Sequence, residues 1–283
     1  MDVIGAAYNN EITWYENNLT LDYDFSFSPT TITTSANGAA AVSVADLDQD
    51  GDMDVLSGSW YDNNVVWHEN NGSESFTSTT ISSNNNDADQ IYVIDMDKDG
   101  DMDVLSGGSK LMWHENNGSQ SFTDHIVNNS ISKIFPLDID SDGDIDIASI
   151  YEDQFYWFEN NGSQSFSSRT IATSTEDGTS VFIIDLDRDG DNDIIMAEGH
   201  YCYPRCDRIF WYENDGSENF TENIIATGLG QPEDIYAIDV DQDGDIDLVA
   251  PEYADSKLRW YENNGSQVFT AHIVAEWTES QRA

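Results

Sequence analysis

Asp46, Asp48, Asp50, Asp52 and Asp54 stand at alternate positions of a nine-residue stretch interrupted by Gly51. The same Asp-x-Asp-x-Asp-Gly-Asp-x-Asp pattern returns at Asp95, Asp97, Asp99, Asp101 and Asp103, and at Asp138, Asp140, Asp142, Asp144 and Asp146. It returns again at Asp185, Asp187, Asp189, Asp191 and Asp193, and at Asp239, Asp241, Asp243, Asp245 and Asp247. At a separation of ~5 Å and an effective dielectric of ~20, each like-charged pair costs about 3 kcal/mol, so several pairs rival a whole folding stability of about 5–15 kcal/mol. A bound cation removes that conflict. Oxygen donors without His or Cys select Ca²⁺ or Mg²⁺ over transition metals, and the number of donors favours Ca²⁺, which takes about six to eight ligands. About five Ca²⁺ sites are therefore expected. In the first loop the expected side-chain ligands are Asp46, Asp48, Asp50 and Asp54. Asp52 is expected to offer mainly its backbone carbonyl, and Gly51 permits the turn. An EF-hand is excluded, because its twelfth position requires Glu and here holds Ser57, Ser106, Ser149, Met196 or Ala250.

Other residue types could bind rather than coordinate. Tyr8, Trp60, Tyr61, Tyr151, Tyr201, Tyr203 and Tyr253 fall in connections that differ from one another in length and chemistry. Flat aromatic groups with polar tips suit sugar rings or a protein hot spot, although single exposed aromatics also occur without function. The longest such connection combines His200, Tyr201, Tyr203, Arg205 and Arg208, a general base beside cations in an otherwise acidic chain. The reading preferred for the same loop is an ornament pinned by a disulfide. Cys202 and Cys206 are the two cysteines, four apart beside Pro204. They read as a local disulfide formed in an oxidising compartment, with free thiols as the alternative, since two thiolates alone make a poor zinc site. His68 and His114 occupy positions that read as core aromatics. Asn71, Asn117, Asn161 and Asn264 head Asn-x-Ser triplets, but each coincides with a turn that explains it, and no glycan is expected there.

The elements that must position these groups are legible from a second signature: Trp, an aromatic, Glu, Asn, then usually Asn-Gly-Ser and a Phe. It starts at Trp14, Trp67, Trp113, Trp157, Trp211 and Trp260. The aspartate loops alternate with it at spacings of 49, 43, 47 and 54 residues, which gives a repeat of roughly 48 residues. Each repeat offers four short runs rich in β-branched and aromatic residues, such as Ala41–Ala45, Asp54–Leu56, Val65–His68 and Phe76–Ile81. Asn71-Gly72, Asn117-Gly118, Asn161-Gly162, Asp215-Gly216 and Asn264-Gly265 are dipeptides that tight hairpins favour. The expected fold is all-β: one β-propeller domain over 1–283, with four-stranded antiparallel blades at about 1–36, 37–84, 85–129, 130–175, 176–229 and 230–283. Met1-Asp2-Val3-Ile4 aligns with Met53-Asp54-Val55-Leu56, so the first repeat lacks its initial strand and most of its loop, with Asp2 at a ninth position. Trp and the following aromatic (Tyr15, His68, His114, Phe158, Tyr212, Tyr261) are expected to fill both faces of each blade. In an antiparallel blade the aspartate loops and Asn-Gly turns share one end, and the variable connections occupy the other.

Ten Lys and Arg stand against 55 Asp and Glu, a formal net charge of -45. Such a field repels phosphate backbones and anionic lipid headgroups, so nucleic acid is not an expected partner. No apolar run approaches the ~20 residues of a membrane-spanning helix, and no membrane insertion is expected. An extracellular or cell-surface location is expected. No signal peptide is expected within this chain, and the start of the gene product is expected to lie upstream.

The loops, the following strand and the Trp-x-Glu-Asn-Asn-Gly and Phe segments recur in one order over nearly the whole chain. In this they resemble the FG-GAP/VCBS repeat family, to which integrin α-subunit propellers also belong. The resemblance implies Ca²⁺ in the turn between the first and second strands of a blade, here the loops starting at Asp46, Asp95, Asp138, Asp185 and Asp239. Family rings close with about six to eight blades, so the six visible here either close through the tail from Ala275 to Ala283 or belong to a larger ring. The function expected is a Ca²⁺-stabilised, non-catalytic module that binds carbohydrate or protein through the end opposite the loops. Two alternatives stand beside it: a polysaccharide lyase or hydrolase on the same scaffold, and a structural segment of a large surface adhesin.

Overall fold

The computed structural model describes residues 3–7, 10–17, 27–73, 75–129, 133–151, 154–172, 178–199, 207–217 and 219–277, with the backbone alone at 17, 27 and 151. Among these residues are 23 strands and no helix, arranged as six antiparallel sheets whose strands follow chain order. The chain divides into two compact units, Met1–Ser132 and Lys133–Ala283.

The first unit holds three sheets. Sheet 1 is β1 (Val3–Ala7), β2 (Glu11–Asn17) and β3 (Phe27–Thr33). Sheet 2 is β4 (Ala39–Ala45), β5 (Asp54–Ser59), β6 (Val65–Asn70) and β7 (Phe76–Ser82). Sheet 3 is β8 (Gln90–Ile94), β9 (Asp103–Gly107), β10 (Leu111–Asn116) and β11 (Phe122–Asn128). The second unit holds sheet 4, from β12 (Lys133–Leu137) to β15 (Phe166–Ala172); sheet 5, from β16 (Gly178–Ile184) through β18 (Arg208–Asn214) to β19 (Phe220–Thr227); and sheet 6, from β20 (Tyr236–Ile238) to β23 (Phe269–Glu276). Sheet 1 has three strands, as its truncated repeat predicts.

Burial follows position within the sheet. Every residue of β5 is buried, because its Val and Leu side chains point to opposite faces and both faces are covered. The outer strand β7 alternates little and is mostly exposed, in keeping with its Thr and Ser. Register pairs Leu56 with Trp67 and Val55 with His68. Leu56 and Trp67 thereby join Ile91 and Val104 of sheet 3, while Val55 joins Ile12 and Ala36 on the other side. The same arrangement in the second unit gathers Trp157, Met196 and Phe210 into one cluster and Trp211, Leu248 and Tyr261 into another. Each aromatic buries roughly 150–250 Å² and dominates its layer. A bulge falls at the same place in the outer pair of all six sheets, for example between Val65 and Val66.

Two expectations need amendment. Tyr15 is 37% exposed and so does not line a core as His68, His114, Phe158, Tyr212 and Tyr261 do. The Asn-Gly hairpins are also longer than two residues. Asn116 pairs with Phe122, and the five residues between form a turn in which the Asn117 side chain accepts from the Ser119 N–H and the Asn117 N–H donates to the Ser121 carbonyl. The glycine takes the left-handed conformation (Gly118 φ 71°), and so does Gln120 two positions further on, as Gly162 and Gln164 do in the next sheet. An Asx side chain has replaced one half of a tight turn.

Candidate metal centres

The five aspartate loops connect the first and second strands of sheets 2 to 6 and share one hydrogen-bond scheme. In the first, Asp46 Oδ2 accepts from the Gly51 N–H at 3.1 Å, and Asp48 and Asp50 each accept from the N–H two residues on. Gly51 sits at φ 99°, and its counterparts lie between 94° and 105°, a conformation only glycine adopts at low cost. The ninth aspartate closes the loop from below. Asp54 is wholly buried, its Oδ2 accepting from the Leu47 N–H and its Oδ1 from the Asn70 N–H, so one carboxylate ties loop to Asn-Gly turn. Asp103, Asp146, Asp193 and Asp247 do the same in their blades.

This scheme leaves one atom over. Asp46 Oδ1 is buried without a hydrogen-bond partner, and so are Oδ1 of Asp95, Asp138, Asp185 and Asp239. A buried carboxylate oxygen with no donor is costly, and its recurrence at one position of five loops is what a coordinating oxygen requires. Three carboxylate oxygens converge within 4.8 Å of one another in each loop: Asp46, Asp48 and Asp50; Asp95, Asp97 and Asp99; Asp138, Asp140 and Asp146; Asp185, Asp187 and Asp193; and Asp239, Asp241 and Asp247. Burial pushes the Asp103 carboxyl up to about 6 and those of Asp146 and Asp193 up to about 7. Burial, then the neighbouring carboxylates, raises Asp97, Asp140 and Asp187 as well. Burial first and the neighbouring carboxylates second disfavour the charged form, and a bound cation would offset both. The all-oxygen donor set fits a hard divalent cation.

The seventh aspartate of each loop faces elsewhere. Asp52, Asp101, Asp144, Asp191 and Asp245 lay their side chains against the turn glycines Gly72, Gly118, Gly162, Gly216 and Gly265. Adjacent loops are also stitched together. Gln49 donates to the Gly100 carbonyl, Asn192 donates to the Asp138 carbonyl, and Arg188 approaches Asp245 at 3.5 Å.

At the opposite end of the sheets, Trp60, Tyr61 and Tyr253 are 38%, 59% and 57% exposed. Their backbones are anchored: the Trp60 and Tyr61 N–H groups donate to Gly38 and Asn37, and that of Tyr253 to Gln231. Arg208 is not a free cation. It is held in β18 by Glu198 at 2.5 Å and Glu222 at 2.7 Å and stacks on Phe210. Tyr8, His200, Tyr201, Tyr203 and Arg205, with Cys202 and Cys206, lie outside the described residues, and of Tyr151 only the backbone is described.

Two buried networks escaped the sequence reading. His68 Nε2 meets Ser57 Oγ at 2.8 Å and its Nδ1 meets Ser78 Oγ at 2.7 Å. His114 Nε2 meets Ser106 Oγ at 2.8 Å and its Nδ1 meets Asp124 Oδ1 at 2.7 Å. The second set has the connectivity of a Ser-His-Asp triad. It is not a nucleophilic site, because Ser106 and His114 are wholly buried and Ser106 Oγ already accepts from Asn85. The signal available in sequence was a Ser on one strand and a His on the next in the first two complete repeats.

The FG-GAP-like repeat matches at residues 1–57, 49–106, 138–196 and 200–250. No curated protein matches the chain by sequence. Among solved structures, an Agrocybe aegerita lectin described as recognising non-reducing terminal N-acetylglucosamine is similar at a TM-score of 0.68 and 16% identity, over 97% of this chain and 77% of the lectin. BBS1N, determined in complex with ARL6DN, is similar at 0.63 and 9% identity, over 96% of this chain and 75% of its own. The Dos1 propeller is similar at 0.59 and 10% identity, over 98% and 67%. These likenesses establish the fold as a β-propeller, and with the repeat matched over more than half of its length, the chain belongs to the FG-GAP-like repeat family.

Proposed function

We infer that the protein is a non-catalytic, Ca²⁺-stabilised propeller that binds carbohydrate through the end of its blades opposite the aspartate loops. The observation that carries the reading is a division of labour within each sheet. One end repeats the same carboxylate scaffold with the same orphaned oxygen five times, while the other carries connections that vary and expose Trp60, Tyr61 and Tyr253. A rigid frame with variable loops is a common basis for binding surfaces. Asp46, Asp48, Asp50 and Asp54 and their counterparts would hold Ca²⁺, which supplies charge neutralisation and fastens each loop to its turn. Calcium levels outside cells suit such loops, and this supports a location at or beyond the cell surface as part of the same reading. The lectin likeness supports carbohydrate. The BBS1N complex supports a protein partner as the second reading. A lyase or hydrolase draws less support, since Arg208 is already committed to two carboxylates.

A glycan array probed with calcium and with chelator, beside an assay for released unsaturated or reducing ends, tests the reading. Calcium-dependent retention of a glycan with no product supports it. Turnover, or no retention of any glycan, refutes it.

A further inference from the structure

Sheets 1 and 2 leave an open pocket of about 290 Å³ between them, lined by Ile4, Trp14, Val44, Met53, Val55 and Phe76, with Asn70 as its polar residue. Val44 and Met53 are 45% and 58% exposed there. Apolar groups gathered and open to water in a chain of net charge -45 call for a partner.

The next gap shows what the pocket lacks. Register places Ile4 opposite Trp14 as it places Leu56 opposite Trp67. Val44 pairs with Val55 as Val93 does with Val104, and Met53 and Phe76 stand where Met102 and Phe122 stand one repeat later. Between sheets 2 and 3 the corresponding walls, Leu56, Trp67, Val93, Met102, Val104 and Phe122, close around Leu47, which is 1% exposed. Leu47 is the second residue of its aspartate loop. Ile139 and Leu186, second in theirs, join the clusters after sheets 4 and 5 and are buried to the same 1%. Sheet 1 begins with β1, which corresponds to the second strand, β5, of the sheet that follows. Among the described residues it has neither a first strand nor an aspartate loop, so β1 has one unpaired edge. The pocket is therefore the space that, in the other gaps, an aliphatic side chain and the loop carrying it fill.

We propose that this edge docks one extended polypeptide segment of the repeat's own chemistry: an apolar strand that pairs with β1, followed by an Asp-aliphatic-Asp turn whose aliphatic side chain enters the pocket as Leu47 enters the next gap. Main-chain pairing along β1 supplies the length of the contact, and the pocket selects the side chain. A charged side chain at that position is refused, because the walls that meet it are apolar. A second copy of this chain is not the occupant, since each of its strands of this kind, β4, β8, β12, β16 and β20, already heads a complete sheet. The proposal stands apart from the carbohydrate reading, which concerns the other end of the blades.

The test is a fluorescence-anisotropy titration, in calcium, of a labelled synthetic peptide of residues 38–52, which carries β4 and its loop, against the whole chain. Its companions are the same peptide with Leu47→Asp and the chain with Val44→Glu. The expected result is saturable binding of the wild-type peptide, weakened at least about tenfold by either change. Val44 is exposed, so its variant is expected to keep the melting temperature; should it fail to fold, Met53→Glu, at the other exposed wall, decides instead. Absence of binding, or binding indifferent to both changes, overturns the proposal. A concentration-dependent dimer of the chain alone that Val44→Glu abolishes puts a second copy in the pocket and overturns it as well. Retention of glycans on the array is independent of all these outcomes, so failure here leaves the carbohydrate reading standing.

Discussion

The carboxylate of Asp52 lies so close over Gly72 that a β-carbon built on the glycine would stand 2.4 Å from Asp52 Oδ2, and the four other blades repeat the contact between 2.3 and 2.5 Å. The seventh aspartate and the turn glycine are therefore a matched pair: the loop leans on a turn that has no side chain to refuse it. Gly72 is also at φ 71°, so two separate demands meet in one residue. Gly72→Ala is expected to lower stability by about 1–3 kcal/mol. Asp52→Ala in the same background should recover the steric share but not the backbone share. Denaturant midpoints of the two single variants and the double variant measure both.

Calcium removal provides the second prediction. A site at a hundredfold excess over its Kd contributes about 2.7 kcal/mol, so the five loops together are expected to shift the melting temperature by many degrees. Scanning calorimetry with and without chelator measures it. Asp46→Asn should diminish the shift by about one site's share, because it neutralises the residue whose buried oxygen lacks any other partner. An unchanged melting temperature in excess chelator would contradict the assignment.

His68 predicts a pH dependence whose sign follows from its burial. Its folded value of about 4 lies below the ordinary 6.5, so between those limits the unfolded chain binds the proton and the folded chain does not. The contribution is complete above pH 6.5 and declines as pH falls toward 4, by at most about 3 kcal/mol. His68→Phe, which copies the aromatic found at Phe158, should show a shallower loss of stability over this range. Denaturation midpoints of both proteins at several pH values give the difference.

Arg208 neutralises Glu198, whose side chain is 5% exposed. Arg208→Ala removes the cation held against that buried carboxylate and is expected to cost more than the about 0–1 kcal/mol of a surface ion pair. Glu198→Gln in the same background should recover much of it. A double-mutant cycle followed by thermal unfolding isolates the pair.

Much of the architecture lies in local pattern. Alternating aspartates around Gly51, the Trp-aromatic pair at the third strand and the Phe opening the fourth each reflect a short-range demand, and their repetition determines strands, order and the loop positions at one end. The carboxylate clusters that could hold a metal are local for the same reason, since nine consecutive residues supply each. The tertiary structure alone decided which oxygen of Asp46 is left without a partner, that Asp52 serves the Gly72 turn, and that Arg208 is held by Glu198 and Glu222. All three depend on which side chain arrives opposite a given residue. No periodicity records that, because packing between neighbouring sheets matches volume and polarity across the gap and not along the chain.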